Sequence, residues 1–307
     1  MEFNYFRAGD GQLMRYGVAK IAHGNPKGCI LLLNGRSEFM EKYQAVVEKL
    51  VERNFHVISL DWRGQGLSVR ELENRDKGHI KSFQCYLDDL FFFYTTVVAP
   101  LGLPVTVLAH SMGGHIALRF LACRGTQIKK AVLVSPMVDI VTAPIPRPLA
   151  GILARQMVRW GMETCYVPGN TDYNRDAVKF SGNPLTHDPR GFWQEHLCIE
   201  KNRDLVLGGV TWGWLKAAFD SIDTLKVKGV AQQISAPVLL LSAAQDRVVS
   251  CRAQEKLCRN LSNGIFLSVP GARHEILNES ESILSFFWQA FDAFTDLMED
   301  ARFFMKK

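Results

Sequence analysis

The 307-residue chain contains no unbroken apolar run of the roughly 18 residues that a membrane-spanning helix requires. Its densest apolar stretch, Leu90 to Val98 (LFFFYTTVV), is too short and suits a buried helix instead. The opening residues, MEFNYFRAGD, lack a basic segment followed by an apolar one, so no secretory leader is expected. The seven cysteines are odd in number and widely spread, with no CxxC pair and no Cys/His cluster at zinc spacing. That excludes a disulfide scaffold and a structural zinc site. It predicts free thiols buried in apolar surroundings, such as Cys29 and Cys123, in a reducing compartment. Charge of one sign is scarcely in excess: 36 Lys and Arg face 31 Asp and Glu, for a net +5. The basic residues are scattered, which excludes a nucleic-acid partner. The expected location is the cytoplasm, with any membrane contact peripheral and at the inner face.

What is present is ordinary globular material: 47% hydrophobic and 22% charged residues. A chain of this length can bury about three quarters of its unfolded surface. Asn4–Arg7 and Leu13–Tyr16 flank Gly9-Asp10-Gly11, which predicts a hairpin. The continuous apolar run CILLL (29–33) predicts a strand buried on both faces, and FHVISL (55–60), PVTVLA (104–109), AVLVS (131–135), PVLLLS (237–242) and GIFLSV (264–269) predict further strands. Between them, apolar residues recur at helical spacing. Phe39, Tyr43, Val46, Val47, Leu50 and Val51 mark one helix; Ile283, Phe286, Phe287, Ala290, Phe291, Phe294 and Leu297 mark the last. Strands alternating with helices predict an α/β fold with a mostly parallel sheet covered on both faces. From about 137 to 232 the alternation stops and the pattern turns helical, which predicts an insertion.

The most informative point is Ala109-His110-Ser111-Met112-Gly113-Gly114, where an apolar strand meets an apolar helix. A tight strand-to-helix turn pushes Ser111 out at the carboxyl end of the sheet, and the glycines after it let the helix approach the strand. Serine is a weak nucleophile that needs a histidine base oriented by a carboxylate. His187, His196 and His274 follow Ser111. The first two fall in the insertion, whereas His274 follows the strand GIFLSV. Asp246 follows PVLLLS at the same end of the sheet; Asp139, after AVLVS, is the rival acid. His110 is expected to face away from the nucleophile, and both it and His115 to be structural.

Four passages resemble the α/β-hydrolase superfamily, most closely its monoacylglycerol lipase and bacterial lysophospholipase family. They are Leu33-Asn34-Gly35-Arg36-Ser37-Glu38 with Tyr43 following, Asp61-Trp62-Arg63-Gly64-Gln65-Gly66-Leu67-Ser68, Gly78-His79-Ile80 with Phe83, Tyr86, Asp88 and Asp89, and Ala109 to Gly114. The resemblance implies a mostly parallel eight-stranded sheet with helices on both faces and an inserted helical cap. The core would span 1–137 and 233–307, and the cap 138–232. It further implies Ser111 as nucleophile, Asp246 as acid, His274 as base, and an oxyanion hole from the backbone N–H groups of Arg36 and Met112. No metal or cofactor is called for. Asn34 and Ala109 depart from the His and Gly common in the family, but neither removes a backbone donor. The DWRGQGLS loop lacks the phosphate-binding glycine patterns; it is expected to be a structural turn with Asp61 and Arg63 in local ion pairs.

The implied activity is hydrolysis of single-chain lipid esters, lysophospholipid or monoacylglycerol. An aminopeptidase or acyltransferase on the same fold, and a non-catalytic binding module, are the alternatives. A peptidase needs cap carboxylates to hold a free amine, and Glu195, Glu200 and Asp204 are the candidates. Leu149, Ile152, Leu153, Met157, Val158, Trp160 and Met162 lie among Arg147, Arg155 and Arg159. Such a cap helix either admits an acyl chain or touches a lipid surface, or it packs its apolar face inward and lets its arginines reach water. Trp193, Trp212 and Trp214 are expected to pack in the cap or line its pocket.

Overall fold

A computed structural model describes residues 1–124 and 127–296. Eight strands form one sheet: β1 (Glu2–Arg7), β2 (Leu13–Ala19), β3 (Gly28–Leu33), β4 (Phe55–Leu60), β5 (Val105–His110), β6 (Ile128–Val134), β7 (Val238–Ala243) and β8 (Gly264–Val269), in the order β1-β2-β4-β3-β5-β6-β7-β8. The N-terminal hairpin pairs antiparallel onto β4, and every pair from β4 to β8 is parallel. The apolar runs explain this. In β3, Cys29, Leu31 and Leu33 point into one core layer, while Ile30 and Leu32 point into the other. A strand buried on both faces must have a helix layer on each.

One layer holds α2 (Phe83–Phe93), α3 (Ser111–Arg124) and α7 (Cys251–Cys258). Opposite it, α1 (Gln44–Glu52) contributes Val46, Val47 and Leu50, and α8 (Glu281–Asp296) contributes Phe287, Phe291 and Phe294. Leu297, the last apolar residue of that periodic series, lies outside the described residues. All seven cysteines are free, but only Cys29 and Cys258 are fully buried. Cys123, expected inside, is exposed, because it lies on the outer side of α3 near its end.

Between β6 and β7 lie α4 (Arg147–Arg159), α5 (Pro189–Lys201) and α6 (Trp212–Leu225). Of the two readings open for α4, neither holds for the whole helix: it packs inward mainly by its small residues, with Met157 and Val158 partly buried beside them. Its small residues Ala150, Gly151 and Ala154 are buried. Leu149, Ile152 and Trp160 are exposed by 56%, 61% and 66%. The cause is electrostatic: Arg147 pairs with Asp223 at 2.9 Å and lies 3.9 Å from the Phe219 ring centre, while Arg155 pairs with Asp220 at 2.9 Å and Asp223 at 3.0 Å. The arginines face the acids of α6, so Leu149, Ile152 and Trp160 face out. Among the described residues no helix is long and apolar enough to cross a membrane.

The loop at 61–68 is structural, but its ion pairs reach across the fold. Asp61 pairs with Arg15 at 3.1 Å, and Arg63 grips Asp89 in a two-pronged contact at 2.7 and 2.8 Å. Gly66 sits at φ 55°, and a Cβ there would lie 2.2 Å from Asp61 Cγ, so no larger residue fits.

Candidate active site

Ser111 is the first residue of α3, directly after β5, and holds a positive φ of 50°. A non-glycine residue in this left-handed region persists only where its surroundings fix it. Here they do. A Cβ on Gly113 would lie 2.4 Å from the Leu33 carbonyl oxygen and 2.5 Å from that of Asn34. The helix therefore starts hard against the end of β3, and Ser111 projects beyond the carboxyl edge of the sheet.

His274 and Asp246 arrive at the same edge from the loops after β8 and β7. His274 Nε2 lies 2.9 Å from Ser111 Oγ, and His274 Nδ1 lies 2.7 Å from Asp246 Oδ2. The other Asp246 oxygen accepts from the backbone N–H groups of Val248 (2.8 Å) and Val249 (3.0 Å), which fixes the carboxylate plane. An acceptor at Nδ1 keeps the proton there and leaves Nε2 free to take one from the serine. The remaining candidates lie elsewhere. Asp139 pairs with Arg147 (2.9 Å) and Lys226 (2.6 Å). His187 bonds Glu279 at 2.9 Å, and His196 bonds the Tyr173 hydroxyl at 3.0 Å. His115 bonds Ser221 at 2.6 Å, and burial pushes its imidazole down to about 3, so it stays neutral.

The loop carrying Arg36 is held by the DWRGQGLS segment. Gln65 Nε2 donates to the carbonyls of Gly35 (2.7 Å) and Glu38 (3.0 Å), and Trp62 Nε1 donates to that of Asn34 (2.8 Å). Among the described residues no acceptor takes the backbone N–H of Arg36 or of Met112. Two unpaired main-chain donors near Ser111 are able to hold an anionic oxygen.

One set of residues was not anticipated. Buried Lys42 contacts three carboxylates: Glu38 at 3.0 Å, Glu275 at 2.8 Å and, from α5, Glu195 at 2.6 Å. Burial alone would lower the Lys42 pKa, but Glu195, Glu275 and Glu38 hold it well above the ordinary value. Burial alone would raise Glu38; Lys42 and His110 hold it well below the carboxylate range. His110 does not turn away from the site. Its ring lies 4.9 Å from that of His274, with Nδ1 3.1 Å from Glu38 Oε2 and Nε2 3.3 Å from the His274 carbonyl oxygen. Burial disfavours its charged form, but the Glu38 carboxylate outweighs this and raises the pKa above 6.5. As a cation it donates to both neighbours. The cluster thus ties the Arg36 loop, the histidine loop and α5 together. The one local signal was the i, i+4 pair Glu38 and Lys42.

Ser111 and His274 open into a cavity of about 380 Å³, bounded by Arg36, Met137, Val210, Trp214 and Leu215 among others. That falls in the range of small-molecule sites, roughly 300–1,000 Å³. Of the cap tryptophans, only Trp214 reaches it.

Residues 24–281 match the family described as serine aminopeptidase, S33. The chain is 31% identical over 257 residues to the probable lysophospholipase L2 of Haemophilus influenzae, covering 83% of this chain and 79% of that protein. It is 29% identical over 269 residues to lysophospholipase L2 of Escherichia coli K12, covering 83% and 76%. Among solved structures, a soluble variant of the Saccharomyces cerevisiae monoglyceride lipase superposes with a TM-score of 0.75 at 18% identity, covering 95% of this chain and 94% of that one, which is a likeness of fold.

Proposed function

The chain belongs to the serine aminopeptidase S33 family of α/β-hydrolases, and from that premise we propose that it is a serine hydrolase cleaving carboxylic esters of single-chain lipids. The observation that carries this reading is the unbroken Ser111–His274–Asp246 chain, with links of 2.9 and 2.7 Å, at the mouth of a largely apolar cavity.

In this reading Ser111 Oγ attacks the ester carbonyl carbon while His274 Nε2 takes the hydroxyl proton. Asp246 stabilises the imidazolium that forms. The oxygen that gains charge accepts from the Arg36 and Met112 N–H groups, each such donor contributing about 3 kcal/mol at comparable sites. The ester C–O bond then breaks, and His274 returns its proton to the leaving alcohol. Water, deprotonated by the same imidazole, attacks the acyl-serine and releases the fatty acid. Residues 138–232 act as the cap.

The aminopeptidase alternative needs a free cap carboxylate to hold an amine. Glu195 is bound to Lys42 at 2.6 Å, and Glu200 is paired with Arg175 at 2.7 Å. The exposed apolar residues of α4 support peripheral contact with a lipid surface. Vesicle co-sedimentation that weakens in Trp160→Asp supports such contact, and unchanged sedimentation removes it.

The deciding assay is fatty-acid release from lysophospholipids, monoacylglycerols and short nitrophenyl esters by wild type and Ser111→Ala. Release abolished in the variant supports ester hydrolysis. A folded wild type inert to all three sinks it.

A further inference from the structure

The cavity beside Ser111 holds two fixed cations in unequal circumstances. Lys42 is matched by three carboxylates. Arg36 forms no ion pair among the described residues. Its Nη2 donates to the Gly208 carbonyl at 2.5 Å, its Nε is buried without an acceptor, and its guanidinium carbon lies 5.5 Å from the Trp214 ring centre. The titratable neighbours that act on it are the phenols of Tyr86 and Tyr166; burial draws its pKa down to about 10, so it remains charged at neutral pH. One carbonyl and one aromatic ring orient a guanidinium but do not neutralise it. An uncompensated cation in a partly dry cavity disfavours the empty state and favours any anion that arrives. Its flat fork of donors matches phosphate oxygens in particular.

Position narrows the class of anion. The main-chain N–H of Arg36 is the proposed donor to the reacting carbonyl oxygen, and its side chain extends from that same residue along the cavity wall. In a glycerol ester, the phosphate is separated from the ester carbon only by the glycerol backbone. The carboxylates gathered on Lys42, which line the same cavity, disfavour a second negative charge beside them.

We propose that the Arg36 side chain is the recognition site for the head-group phosphate of a single-chain phospholipid, and that it sets preference for phosphorylated over neutral glycerol esters. This rests on the ester-hydrolase reading and adds the substrate class to it.

The test compares kcat/KM for 1-oleoyl lysophosphatidylglycerol and 1-oleoylglycerol, in the same non-ionic micelles, for wild type, Arg36→Met and Arg36→Lys. The ratio of the two substrates cancels any loss common to both that comes from disturbing the oxyanion loop. Loss of a charge-assisted contact lowers that ratio by about tenfold or more in Arg36→Met, with part restored in Arg36→Lys. In parallel, glycerol 3-phosphate is titrated calorimetrically into Ser111→Ala and into Ser111→Ala/Arg36→Met. Binding confined to the protein that retains Arg36 supports the site even if no ester is hydrolysed, an outcome that sinks the hydrolase reading alone. A ratio unchanged within about twofold, or titrations that do not depend on Arg36, overturns the proposal.

Discussion

Replacing Lys42 with methionine removes one ammonium and leaves three carboxylates facing one another in the interior. The side chains concerned are nearly closed to water: Lys42 is 4% exposed, Glu38 5%, Glu275 8% and Glu195 19%. Removing one partner of a buried ion pair costs about 3–5 kcal/mol, because the charge left behind is neither solvated nor matched. For a chain of this size that corresponds to a Tm lower by roughly 5–10 °C. Two features limit the loss. Burial pushes the Glu195 pKa upward against the attraction of Lys42, and this lowers the cost of leaving the carboxyl unpaired. Glu38 also keeps the His110 cation at 3.1 Å. The sign of the pH dependence follows from the shifts. Lys42 is raised above 10.5, so its contribution is complete below that pH and lost only above it. Glu38 is lowered below 4.5, so its contribution is complete above that pH and lost as the pH falls. The wild-type advantage measured by urea unfolding is therefore level through neutral pH and shrinks below about pH 4.5. The triple variant Lys42→Met/Glu195→Gln/Glu275→Gln recovers more than half of the loss, because neutral groups incur no such penalty. A Lys42→Met cost under about 1 kcal/mol at pH 7, or a triple variant no more stable than the single, refutes this account.

Asp246→Asn leaves the fold intact but favours the wrong imidazole tautomer, so kcat on a nitrophenyl ester falls about 10⁴-fold while KM changes little; a loss under tenfold contradicts the assigned role. Gly113→Ala places a methyl 2.4 Å from the Leu33 carbonyl oxygen, which forces α3 away from β3. Both thermal stability and kcat drop, and a variant with wild-type values for each would falsify the close-packed turn. His110→Gln removes a cation that the Glu38 carboxylate raises above pKa 6.5, so its destabilisation is full below pH 6.5 and fades as the pH climbs through the raised value. Denaturant midpoints at pH 6 and pH 9 measure this; a destabilisation that grows with pH gives the wrong sign.

Much of the fold and the proposed Ser111–His274–Asp246 set was legible because the relevant constraints are local. A strand buried on both faces must be apolar throughout, and a serine on a tight strand-to-helix turn must have small neighbours. Asp246 and His274 could be singled out from their places just after β7 and β8. The Lys42 cluster was not readable, since Glu195 and Glu275 lie 153 and 233 residues away along the chain. Nothing near Lys42 announces that three segments meet there. The orientation of His110 was not readable for the same reason: its neighbours Glu38 and His274 come from loops 72 and 164 residues distant. The orientation of α4 depends on Asp220 and Asp223 of another helix, so an apolar stripe alone could not say which side faces in.

The proposed mechanism requires a covalent bond at Ser111. Wild-type enzyme is mixed with a 1-oleoyl ester, quenched in acid within milliseconds, digested and measured by mass spectrometry. The account predicts an oleoyl adduct on the peptide containing Ser111, which decays as free oleate appears. Oleate released at the wild-type rate by Ser111→Ala, or an adduct confined to another residue, contradicts it.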